Sequence, residues 1–112
     1  MTPSYKKGDF VWVDLGEPDG HVQGYKRPCV VLASFPKLGL AIIAACTSKK
    51  KPYSTPTSVF VPKEETGQRL DTVILLQQTR VIPISRIENK IGTMSSDTMD
   101  KVDVVLSEIF DL

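Results

Sequence analysis

The chain has 112 residues, 41% of them hydrophobic and 24% charged, with a formal net charge of +1. Two domains would each be too small at this length, whereas one domain over residues 1–112 has room for a core that an oligomer interface would reinforce. No stretch approaches the roughly 18 uninterrupted apolar residues of a membrane span, and the opening MTPSYKKGD lacks the apolar region of a secretory signal, so a cytoplasmic protein is expected.

Residues 9–15, DFVWVDL, place Phe10, Trp12 and Asp14 on one side and Val11, Val13 and Leu15 on the other. That alternation predicts a strand packed on both faces or nearly so, with Phe10 and Trp12 in the core. The next stretch, GEPDGHVQGYK at 16–26, holds three glycines and a proline with no apolar period, which predicts a long exposed connection of the kind that carries function. Pro28 can open a strand but not occupy its middle, so CVVLAS at 29–34 is expected as the second strand and FPKLG as a turn. Residues 40–46 form a third strand, whose isoleucines and alanines suit a crowded interior and which delivers Thr47 and Ser48 to its end. After the basic loop KKKPYSTP, a fourth strand is expected at 58–62 and a polar connection at 63–71. Residues 72–76 and 78–82 are then two further strands or one bent one.

Beyond Pro83, ISRI suits a single helical turn. Met99, Val102, Leu106, Ile109 and Phe110 recur at spacings of three and four, which predicts an amphipathic helix capped by Ser95 or Ser96, with Asp97 and Asp100 near its positive end. Mostly β with one terminal helix, the chain is expected to form a small, strongly bent barrel or half-open sheet of about six to seven strands, the helix covering an opening or an edge.

The charge is unevenly spread. Residues 1–51 carry eight Lys and Arg against four Asp and Glu, while residues 52–112 carry six against nine. Lys6, Lys7, Lys26, Arg27 and Lys49–Lys51 would favour a polyanion if the fold gathers them. Cys29 and Cys46 lie in apolar runs and read as core hydrophobes. With His21 the only histidine, neither a zinc site nor a two-histidine acid–base pair can be assembled, and no metal or other cofactor is implied. Hydrolase elbows, Walker loops and metalloprotease helices are absent.

What remains is a polar set at strand ends and loops: His21, Gln23, Lys26, Arg27, Thr47, Ser48, Gln77, Gln78, Thr79 and Arg80. Arg27 stands between a glycine-containing loop and a strand-opening proline, so rigid backbone can aim its guanidinium at a phosphate. It could equally pair with Asp14 or Glu17. Thr47 follows an apolar strand, where its hydroxyl can orient a phosphate oxygen or simply cap a turn.

Several blocks recur in a known order. KKGDFVWVDL at 6–15, YKRPCVVL at 25–32, AACTS at 44–48, VILLQQTR at 73–80, ISRI at 84–87 and MDKVD at 99–103 together resemble the MazF/PemK toxins of bacterial type II toxin–antitoxin pairs. The likeness spans almost the whole chain. It implies an SH3-like, CcdB-type barrel with a terminal helix, a homodimer, and metal-independent, sequence-specific cleavage of single-stranded RNA, held in check by a cognate antitoxin.

Arg27 and Thr47 fall on the family's catalytic arginine and threonine. Gln77 and Gln78 fall where some plasmid-borne members carry a catalytic aspartate, and Leu75 where those members carry a second arginine. That departure favours a site resting on Arg27 and Thr47. Both make poor general bases, since a guanidinium holds its proton and a threonine hydroxyl gives one up reluctantly, and the base stays unassigned. His21 titrates in a useful range but is a lone loop histidine.

For RNA binding, Gln77, Gln78 and Arg80 suit base edges, Tyr25 or Tyr53 suits stacking, and Lys49 with Lys50 and Lys51 suits backbone phosphates. The resemblance also sets an acidic C-terminal segment of the antitoxin in the RNA groove. Two other readings compete. A gyrase poison of the CcdB type shares the barrel, but its Trp-Gly-Ile tail is replaced here by Phe110-Asp111-Leu112. An SH3-like binding module of the KOW kind would explain KGDFVWV alone.

Overall fold

A computed structural model describes residues 4–17, 20, 25–49 and 55–112. Its strands are β1 (Asp9–Asp14), β2 (Lys26–Phe35), β3 (Leu40–Lys49), β4 (Ser58–Val61), β5 (Asp71–Pro83) and β6 (Ile87–Thr93). A short helix, α1 (Lys63–Thr66), follows β4, and a long one, α2 (Ser96–Ile109), ends the fold. Single 3₁₀ turns lie at Pro36–Leu38 and Ile84–Arg86.

All pairings are antiparallel, in one open sheet of order β4-β5-β3-β2-β1-β6. The half-open form of the expected barrel is therefore the one adopted. Apolar residues run along both faces of the central strands, and the two-residue alternation sorts them into two cores. Phe10, Val30, Ala44, Cys46, Ile74 and Leu76 meet Met99 and Val102 of α2 on one face. Val11, Val13, Cys29, Val31, Ile43 and Ala45 meet Ile82, Ile84 and Ile87 on the other, where the sheet curls over itself. Cys29 and Cys46 are thus both buried, one in each core.

Residues 72–82 form one bent strand, the second of the two expected alternatives: its ladder with β3 is broken between the Ala44–Thr79 and Cys46–Ile74 pairs. Other details depart from the sequence expectation. ENKIGT carries too few apolar residues to announce itself, yet it pairs with β1 as the edge strand β6. Glu88 and Lys90 on it are the charged side chains that keep an edge from pairing further. Trp12, expected in the core, is only partly buried, because it pairs with Pro28 on one side and Asn89 of the edge strand on the other.

The junction before β1 needs its glycine. Gly8 has φ of +95°, donates to the Val31 carbonyl at 2.8 Å, and would place a Cβ 3.4 Å from Met99 Cγ. Asp9, 2% exposed, takes the Lys6 backbone N–H at 2.9 Å and lies 3.2 Å from the Lys90 ammonium. At the other end, Ser95 caps α2 by accepting from the Thr98 N–H at 3.1 Å. Glu65 of α1 reinforces that cap: its carboxylate accepts from the Ser95 N–H (3.2 Å), the Ser95 hydroxyl (2.9 Å) and the buried Thr98 hydroxyl (2.8 Å).

Candidate active site

Pro28 decides the shape of the site. β2 pairs with β3 from Phe35–Leu40 as far as Cys29–Ala45, and the ladder stops there. Proline has no N–H to donate, so the next rung cannot be made in full. Counting on in the same register sets Arg27 across from Thr47, beyond the last rung. Each is still held from its outer side, Arg27 by pairing with Val13 of β1 and Thr47 by pairing with Val73 of β5. Two firmly held strand ends therefore flank an unzipped gap, with half-buried Arg27 on one lip and half-buried Thr47 on the other.

Alternation puts both on the curled face, since Cys29 lies two residues after Arg27 and Ala45 two before Thr47, both in that core. Arg80 joins them from β5, where it pairs with Ile43 and precedes Ile82 of the same core by two. Burial pushes the Cys29 thiol up to about 12, and the Arg80 and Arg27 guanidiniums oppose that shift. Both cations are therefore close enough to the same sulfur to act on it. A cationic pair with a hydroxyl beside it, at the rim of an apolar core, is an arrangement for a phosphate: the low dielectric beneath strengthens each charged hydrogen bond.

The other sequence candidates are distributed differently. Lys26, exposed, points its ammonium at Glu88 at 3.0 Å, and that hydrogen bond and charge raise its pKa. By alternation it lies on the opposite face from Arg27. Ser48, exposed, pairs with Thr72, and Lys49 with Asp71, at the far end of β3. Gln77 and Gln78 occupy the break in the β3–β5 ladder. The exposed Gln77 accepts from the Thr57 hydroxyl at 3.0 Å, which turns it toward the β4 side, while Gln78 is half-buried. His21, Gln23, Lys50, Lys51 and Tyr53 lie outside the described residues. Among the described residues no cluster of His, Cys, Asp and Glu has the form of a metal site.

Arg86 was not singled out from sequence, and Tyr25, named there for stacking, has a backbone conformation that was not foreseen. Arg86, in the 3₁₀ turn, lines a polar cavity of about 270 Å³ with Asp14, Glu17 and Arg80. Its signal, one arginine in ISRI, was lost in an expected helical turn. Tyr25 has φ of +60°, the left-handed region that costs a bulky residue on the order of 1–2 kcal/mol. It closes the connection between β1 and β2: the Leu15 N–H donates to its carbonyl at 2.8 Å and its own N–H donates to the Gly16 carbonyl.

The molecule is a small bent antiparallel sheet under one terminal helix, with two arginines and a threonine on one face where the β2–β3 ladder stops. The profile of the PemK-like, MazF-like toxin family of type II toxin–antitoxin systems matches residues 6–110, and the chain belongs to that family. Endoribonuclease EndoA of Bacillus subtilis (strain 168) is 36% identical over 106 residues, 90% of this chain and 90% of that protein. MazF from Deinococcus radiodurans superposes with a TM-score of 0.79 at 25% identity, covering 100% of this chain and 99% of that one. An endoribonuclease of a mycobacterial species, solved in complex with its cognate antitoxin, shares the fold with a TM-score of 0.76 at 14% identity and 97% coverage of both chains.

Proposed function

We propose that the chain, acting as one domain in the cytoplasm, is the toxin of a toxin–antitoxin pair and a metal-independent, sequence-specific endoribonuclease for single-stranded RNA. The observation that carries the mechanism is the unzipped gap with Arg27 and Thr47 on its two lips and Arg80 behind. RNA brings its own nucleophile, so the protein's task is alignment and charge. The 2′-oxygen bonds to phosphorus, the bond from phosphorus to the 5′-oxygen breaks, and the 2′ proton is lost as the 5′-oxygen gains one. The products are a 2′,3′-cyclic phosphate and a 5′-hydroxyl end.

Arg27 stabilises the added negative charge on the phosphorane, and Thr47 holds a phosphate oxygen or the 2′-hydroxyl in line. Arg80, Gln77, Gln78 and Ser48, with His21, Gln23, Lys26 and Lys49, are the proposed RNA contacts around them. The ion pair of Lys26 with Glu88 makes it the member of that set least committed to RNA.

A second copy of the chain is the proposed partner for an exposed apolar surface: Val81 is 57% exposed, Phe110 58% and Leu112 91%, beside a groove of about 350 Å³ lined by Leu32, Ile42 and Leu106. Patches of this kind mark interaction sites. The antitoxin is proposed to lay an acidic, disordered C-terminal segment in the RNA groove, replacing phosphates with carboxylates.

The test incubates purified protein, with EDTA present, with a long structure-free RNA and maps the ends. Cuts at one short motif with 5′-hydroxyl ends are expected, blocked by a 2′-deoxy sugar at the cut. Arg27→Ala is expected to lose about 10²- to 10³-fold in rate, as for removal of one oxyanion donor, and Thr47→Ala to lose activity as well. Uncut RNA across several unrelated sequences would refute the reading.

A further inference from the structure

We propose that Tyr25 is the base-stacking platform of the ribonuclease site and holds the base beside the scissile phosphate. This rests on the RNA-cleaving reading above. Among the described residues only Tyr25 and Asp111 take a positive φ without being glycine. A left-handed position is one that glycine fills without strain and an aromatic residue fills only against a steric penalty.

Folding does not offset that penalty at Tyr25. Among the described residues its hydrogen bonds are made by main-chain groups, with Leu15 and Gly16, and any residue could supply them. The residue is 61% exposed, so little apolar surface is removed from water in return. The side chain is thus presented to solvent on a fixed backbone, at a cost to stability. Strain kept without a packing benefit is characteristic of functional positions.

Its place in the fold says what the ring meets. Tyr25 lies two residues before Arg27, which limits the distance between their Cα atoms to about 7 Å. A strand of RNA whose phosphate sits between Arg27 and Thr47 has its adjacent bases unpaired. Sequence-reading proteins hold such splayed bases by stacking them on aromatic rings. A planar ring next to a phosphate-binding guanidinium supplies both halves of the contact with one nucleotide. Because the ring is carried by backbone pinned to β1, the base is positioned relative to the catalytic arginine rather than merely attracted.

The experiment compares wild type with Tyr25→Gly and Tyr25→Phe. Three readouts are taken: melting temperature, single-turnover cleavage of the mapped motif, and binding of the same RNA made non-cleavable by a 2′-deoxy sugar and carrying 2-aminopurine beside the cut. The glycine variant is expected to melt at the same or a higher temperature, while its binding and cleavage fall by about 5- to 100-fold, the factor one base stack carries. The 2-aminopurine quenching seen with wild type is expected to vanish in Tyr25→Gly and persist in Tyr25→Phe. Stability and binding moving in opposite directions is what a merely structural residue would not produce.

Wild-type cleavage and quenching by Tyr25→Gly would overturn the proposal and leave the exposed ring to a protein contact. Loss in Tyr25→Phe as well would overturn stacking in favour of the hydroxyl. A glycine variant that melts several degrees lower would make the residue structural. If wild type itself cuts no RNA, the ribonuclease reading fails first and this proposal with it.

Discussion

The two buried thiols make the fold sensitive to alkali by an amount that can be worked out. Burial holds Cys29 as a thiol up to about 12 and holds Cys46 well above the ordinary 9.0. In the unfolded chain both lose their protons near 9.0. The folded state therefore keeps two protons that the unfolded state releases as pH rises, and stability present below pH 9 is lost above it. At pH 10 each unfolded thiol is lowered by RT ln 11, about 1 kcal/mol, whereas at pH 8 the gain is negligible. Two thiols together cost about 2–3 kcal/mol of stability between those pH values, or about 10 °C in melting temperature at this chain length.

Other alkaline groups begin to titrate near the top of this window, whereas Lys26, raised above 10.5 by its contact with Glu88, loses that contact only beyond it. The measurement is therefore a difference: urea unfolding followed by Trp12 fluorescence at pH 8 and pH 10, for wild type and Cys29→Ala/Cys46→Ala. The alanines leave small cavities that shift both points equally, by about 1 kcal/mol per site. Wild type should lose about 2–3 kcal/mol more than the double variant over the interval. Parallel losses in the two proteins would refute the premise that both thiols are protonated and buried in the native state.

Removing the Glu65 carboxylate should loosen α2. Glu65→Ala strips three donors of a charged acceptor, one of them the buried Thr98 hydroxyl, and with the group partly exposed an effect of about 1–2 kcal/mol is expected by thermal denaturation. Combined with Ser95→Ala the losses should be less than additive, because both substitutions open the same cap. For the apolar surface, Val81→Asp is expected to shift the protein from dimer to monomer in sedimentation while leaving the helix content unchanged.

Much of this architecture was legible because it obeys short-range rules. The alternation in DFVWVDL announced β1 and its two faces, and the spacing from Met99 to Ile109 announced α2 with a serine cap at 95 or 96, of which Ser95 is the one used. β6 escaped because its partner, not its composition, makes it a strand: ENKIGT has no apolar period and is held by hydrogen bonds to β1. The start of β2 at Lys26 rather than Cys29 has the same origin, since β1 alone supports the residues around Pro28.

The site was half legible. Arg27, Thr47 and Arg80 were chosen singly, but their meeting on one face depends on the register of three strands and on where a ladder stops. Sequence spacing does not encode that. Tyr25's backbone strain was equally invisible, because it is imposed by the closure of a loop and not by neighbouring residue types.

The sheet that separates the two cores also separates two kinds of evolutionary constraint. Substitutions beneath α2, at residues such as Val102, Met99 or Leu76, are absorbed on one side of a hydrogen-bonded backbone layer, while Arg27, Thr47 and Arg80 stand on the other. A lineage of such proteins can gain or lose stability on the helix side without retuning catalysis. It can also change what the gap recognises, through the β1–β2 connection, without re-solving the packing problem.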